Sequence, residues 1–140
     1  MLSLKRLVAT FSAIVALTVL APVASAGSVR PFHLDKICVE DLSEPLGYVC
    51  IVQNSDFKWI PAGTEVHYLS QNEAGDVVQV AIETRNGSTT GVCVWTSPVA
   101  AICTFGPGTG RLSRFYLEVV VTTNADQSIW YWDGTYWFGH

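Results

Sequence analysis

The sequence predicts an all-β protein, an antiparallel β-sandwich or small β-barrel held by two disulfides. Three observations predict it. Short runs rich in Val, Ile, Thr and aromatic residues alternate with Gly, Pro, Asn and Asp clusters, and no stretch keeps helical spacing for three turns. An Asn86-Gly87 pair, the strongest short hairpin signal, sits between two such runs. Four cysteines, an even number, follow an export-like leader.

The leader comes first. Lys5 and Arg6 precede an apolar run from Leu7 to Ala21, then Pro22 and Ala24-Ser25-Ala26. A basic start, a short apolar middle and a small-x-small end are what signal peptidase reads, so residues 1–26 are expected to be a cleaved signal peptide. Pro22 stops the run short of the roughly 20 residues that a membrane helix needs. The expected product is one secreted, extracellular β domain, residues 27–140, with no membrane insertion after cleavage. Of eight basic and twelve acidic side chains, loss of Lys5 and Arg6 leaves six against twelve, a net charge of −6. That balance argues against nucleic acid as a partner.

Residues Gly27 to Asp35 read as an irregular lead-in. Strands are expected at Tyr48 to Gln53, Glu65 to Ser70, Val77 to Thr84, Thr90 to Thr96, Ala101 to Phe105, Phe115 to Thr122 and Ile129 to Phe138. With Asn86-Gly87 as a two-residue loop, Arg85 pairs with Ser88, Ile82 with Gly91, Val80 with Cys93 and Val78 with Trp95. That puts Val78, Val80 and Ile82 on an apolar face and Gln79 and Glu83 on the other. Reflecting the next hairpin about Pro98 sets Cys93 across from Cys103 and Trp95 across from Ala101. The expected bridges are therefore Cys38 to Cys50, which straddles Glu44-Pro45, and Cys93 to Cys103. No Cys or His spacing suits a metal, and no cofactor is implied.

The densest feature is Ile129 to Phe138, with three of the five tryptophans. One reading is an aromatic platform on which a sugar or flat apolar ligand stacks, with Trp130, Trp132, Asp133, Tyr136 and Trp137 as the ligand-binding residues. The other is that these rings are core, with Asp133-Gly134 a tight turn or a bulge in the last strand. Alternation puts Trp130 and Trp132 on one face and Tyr131 on the other. Gly106 to Arg111 lacks the Lys-Ser or Lys-Thr ending of a phosphate loop and reads as a turn. Asn86-Gly87-Ser88 is a formal glycosylation acceptor that its turn value already explains. His67 shares a strand face with Glu65, but no nucleophile elbow or H-E-x-x-H motif accompanies it, so it reads as a partly satisfied strand histidine. Asn124, Asp126 and Asp133 lack calcium-loop spacing.

From Cys103 onward, Cys-Thr-Phe-Gly-Pro-Gly-Thr-Gly-Arg-Leu, Phe115 to Thr122 and Trp132-Asp133-Gly134-Thr135-Tyr136 resemble the tail of small uncharacterised secreted bacterial β-proteins. More distantly, the Gly-Thr-Gly-Arg segment is similar to that of dirigent and allene oxide cyclase type barrels. That resemblance implies an eight-stranded barrel with a ligand cavity, and it carries over no catalytic residue. The leading functional expectation is a secreted, non-catalytic binding module for a carbohydrate, an apolar small molecule or an extracellular protein surface. The alternatives are a calycin- or dirigent-like barrel enzyme acting on a hydrophobic metabolite, and a structural or interaction protein of the cell envelope.

Overall fold

The computed structural model describes residues 27–140, so the expected signal peptide, residues 1–26, lies outside the described residues. Eight strands follow in order: β1 (Arg30–Glu40), β2 (Tyr48–Ser55), β3 (Glu65–Gln71), β4 (Val77–Thr84), β5 (Gly87–Ser97), β6 (Ala100–Phe105), β7 (Phe115–Thr123) and β8 (Trp130–Phe138). One 3-10 turn, Gly110–Leu112, lies between β6 and β7. Each strand pairs antiparallel with its chain neighbour, and β1 pairs with β8, so the sheet closes into a barrel. Closure decides between the two expected architectures in favour of the barrel.

Strands β2 to β8 fall where the alternating pattern put them, to within three residues. The first strand corrects the sequence reading, because Arg30 to Asp35 is strand and not an irregular lead-in. Arg30, Pro31 and Lys36 interrupt the apolar pattern, yet Phe32, Leu34 and Lys36 are all buried on one face. Pro31, which has no N–H to give, pairs only with Thr135 of β8, before the β2 ladder begins at Leu34.

The β4–β5 hairpin is a second correction. Thr84 pairs with Gly87 and Val80 with Gly91, which makes Arg85-Asn86 the two turn residues. The shift is two residues, so the expected faces survive: Val78, Val80 and Ile82 point inward while Gln79 and Glu83 are exposed. Gly87 carries the positive φ, 142°, and neither Arg85 nor Asn86 does. A neighbouring loop holds this turn, since Arg111 N–H donates to the Asn86 carbonyl and Thr109 N–H to the Ser88 carbonyl, each at 2.8 Å. Any Cβ on Gly87 would lie 2.1 Å from the Thr109 oxygen.

Both disulfides form as expected. Cys38 faces Cys50 and Cys93 faces Cys103 as direct cross-strand partners, with Cα separations of 3.9 and 4.0 Å. Two such bridges suit an oxidising, extracellular setting. The Asp133-Gly134 step is neither a turn nor a bulge. It runs straight through β8 in unbroken register with β1 and β7. Glycine is required there because a Cβ would lie 1.9 Å from the Glu118 carbonyl oxygen.

The two ends of the barrel differ. The β2–β3 loop folds in, and Phe57 stacks on Phe115 at 5.2 Å and meets Tyr136 at 4.5 Å, with Trp59 against Phe138. Ile60 and Leu112 complete this plug with no exposed surface. Truncating a buried aromatic removes its burial and leaves a void, at about 3–5 kcal/mol. Phe57→Ala should therefore lower the urea unfolding free energy by that amount, while Leu42→Ala, on a side chain 86 % exposed, should change it by under about 0.5 kcal/mol.

Candidate functional site

The opposite end is open, and a lysine lies beneath it. Alternation along β1 sends Phe32, Leu34 and Lys36 into the barrel, and Lys36 is 1 % exposed. Among the described residues it is the one buried side chain that can carry charge; the other buried polar residues are Thr64 and Thr89. Its Nζ donates to the Tyr68 hydroxyl at 2.8 Å. It lies 5.2 Å from the Trp132 ring centre and 5.3 Å from that of Tyr68. Cys38 Sγ, in the β1–β2 bridge, is 3.8 Å away.

A cavity of about 210 Å³ is lined by Lys36, Cys38, Tyr48, Tyr68, Trp95 and Trp130. It adjoins an outer groove of about 540 Å³ that shares Tyr48, Trp95 and Trp130 and reaches Asp76 and Val78. Trp95 and Trp130 meet edge to face at 5.6 Å, and Tyr48 packs on Tyr68 at 4.9 Å. The result is an aromatic funnel with one amine at its base.

Three irregularities interrupt the ladders, between Asp35 and Lys36, between Tyr68 and Ser70, and between Trp95 and Ser97. Each adjoins a residue that lines the cavity. A bulge adds twist and re-aims the neighbouring side chain, and such bulges gather at barrel rims and next to functional sites.

The rim itself is held by short polar loops. Asp41 accepts from the Ser43 N–H and hydroxyl, Asn72 caps Val77 N–H and bonds Asp76, and Asn124 accepts from Ile129 N–H. Asp126 accepts from Ser128. Bonds from Ser43 and Ser128 hold the Asp41 and Asp126 carboxyls below the usual carboxylate range. These turns fix the rim through hydrogen bonds within each loop.

Burial pulls the Lys36 amine down to about 7, because the interior offers no carboxylate to hold an ammonium. Two aromatic faces favour the cation by about 2 kcal/mol at most, less than the several kcal/mol that desolvation costs. The buried Tyr68 phenol is pushed in the opposite direction, above its ordinary value, and so stays neutral. Trp132 is fully buried, and its Nε1–H has no acceptor among the described residues.

The five residues expected to bind ligand do not form one platform. Trp130 stands at the cavity wall, and Trp132 lies in the barrel centre beneath the Lys36 amine. Tyr136 belongs to the plug with Phe57 and Phe32. Trp137 points outward and stacks on Tyr116 at 5.5 Å. Asp133 is also outward, where its carboxylate meets His33 Nδ1 at 2.6 Å. Sequence reading missed Lys36, Tyr48, Tyr68 and Trp95. Phe32-x-Leu34-x-Lys36-x-Cys38 was the available signal, since it places a lysine on the face of two apolar residues and a bridged cysteine.

His67 faces outward among three glutamates. Its Nδ1 is 2.9 Å from Glu44, and Nε2 is 3.2 Å from Glu65 and 3.6 Å from Glu83. Desolvation lowers the imidazole, but the Glu44 hydrogen bond and the three carboxylates outweigh it and hold His67 above its ordinary value. Among the described residues no group of His, Cys, Asp and Glu is arranged to hold a metal.

These two groups give opposite pH signatures. Lys36 binds a proton less readily folded than unfolded, so stability rises with pH between about 7 and 10.5, and the full penalty applies below that window. At 1.36 kcal/mol per pKa unit the penalty is on the order of 5 kcal/mol. Lys36→Met should flatten this rise and stabilise the protein at pH 6, as read from urea midpoints between pH 6 and 9. His67 contributes stability that is present below its unfolded value of 6.5 and lost as pH climbs through its raised folded value. His67→Gln should abolish that loss in the same series.

No family model, curated protein or solved structure matches the chain, so membership of any named family is not shown.

Proposed function

We propose that this protein is an exported small-molecule-binding barrel whose ligand is a flat apolar body with a polar end. The body lies between Trp95, Trp130 and Tyr48, and the polar end meets Lys36 and Tyr68 at the base. One observation carries this reading: the single buried charge-bearing side chain among the described residues lines a cavity walled by aromatics, below the only barrel end without an aromatic plug among those residues. A lysine buried without a carboxylate costs stability, and a ligand oxygen that accepts its hydrogen bond recovers part of that cost. Large rings supply affinity with few rotors. The basic start, apolar run and Ala24-Ser25-Ala26 end of residues 1–26, together with the two disulfides, support export.

A fluorescent naphthalene sulfonate tests the site, because its flat body suits the funnel and its sulfonate accepts from Lys36. Binding should strengthen as pH falls from 8 to 6 and the amine gains its proton. Trp130→Ala and Lys36→Met should each weaken binding at pH 6 by at least about tenfold, or 1.4 kcal/mol. Trp137→Ala, on the outer face, should leave it unchanged. Equal affinity in wild type, Trp130→Ala and Lys36→Met would remove the cavity as the binding site.

A further inference from the structure

Lys36 has features that simple hydrogen bonding leaves unused. An amine inside a barrel serves non-covalent recognition best when it stays protonated, which a nearby carboxylate ensures. None is buried among the described residues, where the acidic side chains lie at the surface or the rim. The Nζ has one oxygen partner, the Tyr68 hydroxyl at 2.8 Å, and a cavity of about 210 Å³ beside it. A desolvated lysine next to a phenol, in an aromatic chamber with access from one side, is equipped as a nucleophile toward carbonyl carbon.

We propose that Lys36 captures a flat apolar aldehyde as a reversible imine, with Tyr68 as the proton relay. This inference rests on the cavity being the ligand site. The Nζ lone pair attacks the carbonyl carbon, forming the C–N bond while the C=O π pair moves to oxygen. One N–H proton passes to that oxygen and gives the carbinolamine. The Tyr68 phenol then protonates the hydroxyl, the C–O bond breaks and water leaves. The second N–H proton returns to Tyr68 as the C=N bond completes. Amine and aldehyde thus become imine and water, with Tyr68 restored and no oxidant or reductant consumed. Apolar walls exclude the bulk water that would drive hydrolysis, and the funnel selects a flat, uncharged, conjugated aldehyde.

The exported protein, made from the full precursor, is incubated with cinnamaldehyde and reduced with sodium borohydride, then read by intact mass and peptide mapping. Residues 27–140 contain only two lysines, Lys36 and Lys58, and Lys58 is exposed, so it serves as the internal control for unselective amines. One cinnamyl group should be fixed per chain, on Lys36, with labelling rising from pH 6 to 8 and competed by the naphthalene sulfonate. Tyr68→Phe should slow labelling at least tenfold at saturating cinnamaldehyde, whatever it does to naphthalene sulfonate affinity, Trp137→Ala on the outer face should label as the wild type does, and Lys36→Met, checked for its β spectrum, should lose the adduct. If the naphthalene sulfonate binds as described above but borohydride fixes nothing on Lys36, the imine is overturned and the binding reading stands. Label only on Lys58 or the terminal amine, with no naphthalene sulfonate binding, overturns both.

Discussion

Pairing of β1 with β8 is the constraint on which the rest of this structure depends. Seven residue pairs, Arg30 with Tyr136 through Lys36 with Trp130, join the ends of the chain's strand order. Without that ladder the sheet would expose two long edges with unpaired backbone groups, a template for aggregation. With it, β1 has partners on both sides from Leu34 to Lys36, and its alternation is locked. Lys36 then has no outward alternative, because turning it out would expose Phe32 and Leu34 as well.

The closed sheet creates an interior that must be filled, and the two ends fill it differently. At one end, the β2–β3 loop supplies Phe57 and Ile60 to a plug completed by Phe115, Tyr136, Phe138 and Leu112. At the other end the strands are joined by loops whose Asp and Asn side chains bond their own backbone, so those loops cap the rim without folding inward. The cavity is the space left by that asymmetry. Its walls are the strands themselves, more rigid supports than loops, and the three bulges set the final angles of Lys36, Tyr68 and Trp95.

Charge follows the same division. Acidic side chains decorate the outside and the rim, where His67 sits among Glu44, Glu65 and Glu83 and His33 meets Asp133. The protonated His67 imidazole is stabilised by Glu44, Glu65 and Glu83, whereas an ammonium in the interior has only π faces and a phenol oxygen. His67 therefore belongs to the stability of the shell. The inner lysine is held at a cost that packing alone does not explain.

Much of this was legible in the sequence. Period-two alternation, turn residues and cysteine spacing determined the strand class, seven of eight strands, the inward faces of β4 and β5 and both disulfides, because each depends on neighbours within one hairpin. Even the misplaced β4–β5 turn kept its faces, since a shift of two preserves side-chain parity. What only the tertiary structure decided needed partners distant in the chain. The β1 strand is stabilised by β8, a hundred residues away at His33 and Asp133, and the Gly87 turn by the Thr109–Arg111 loop. Division of the C-terminal rings among funnel, core, plug and outer wall depended on barrel closure. So did the site: a lysine in an apolar pattern looks like an interruption until the sheet closes, and only then does it become a buried amine beneath an open funnel.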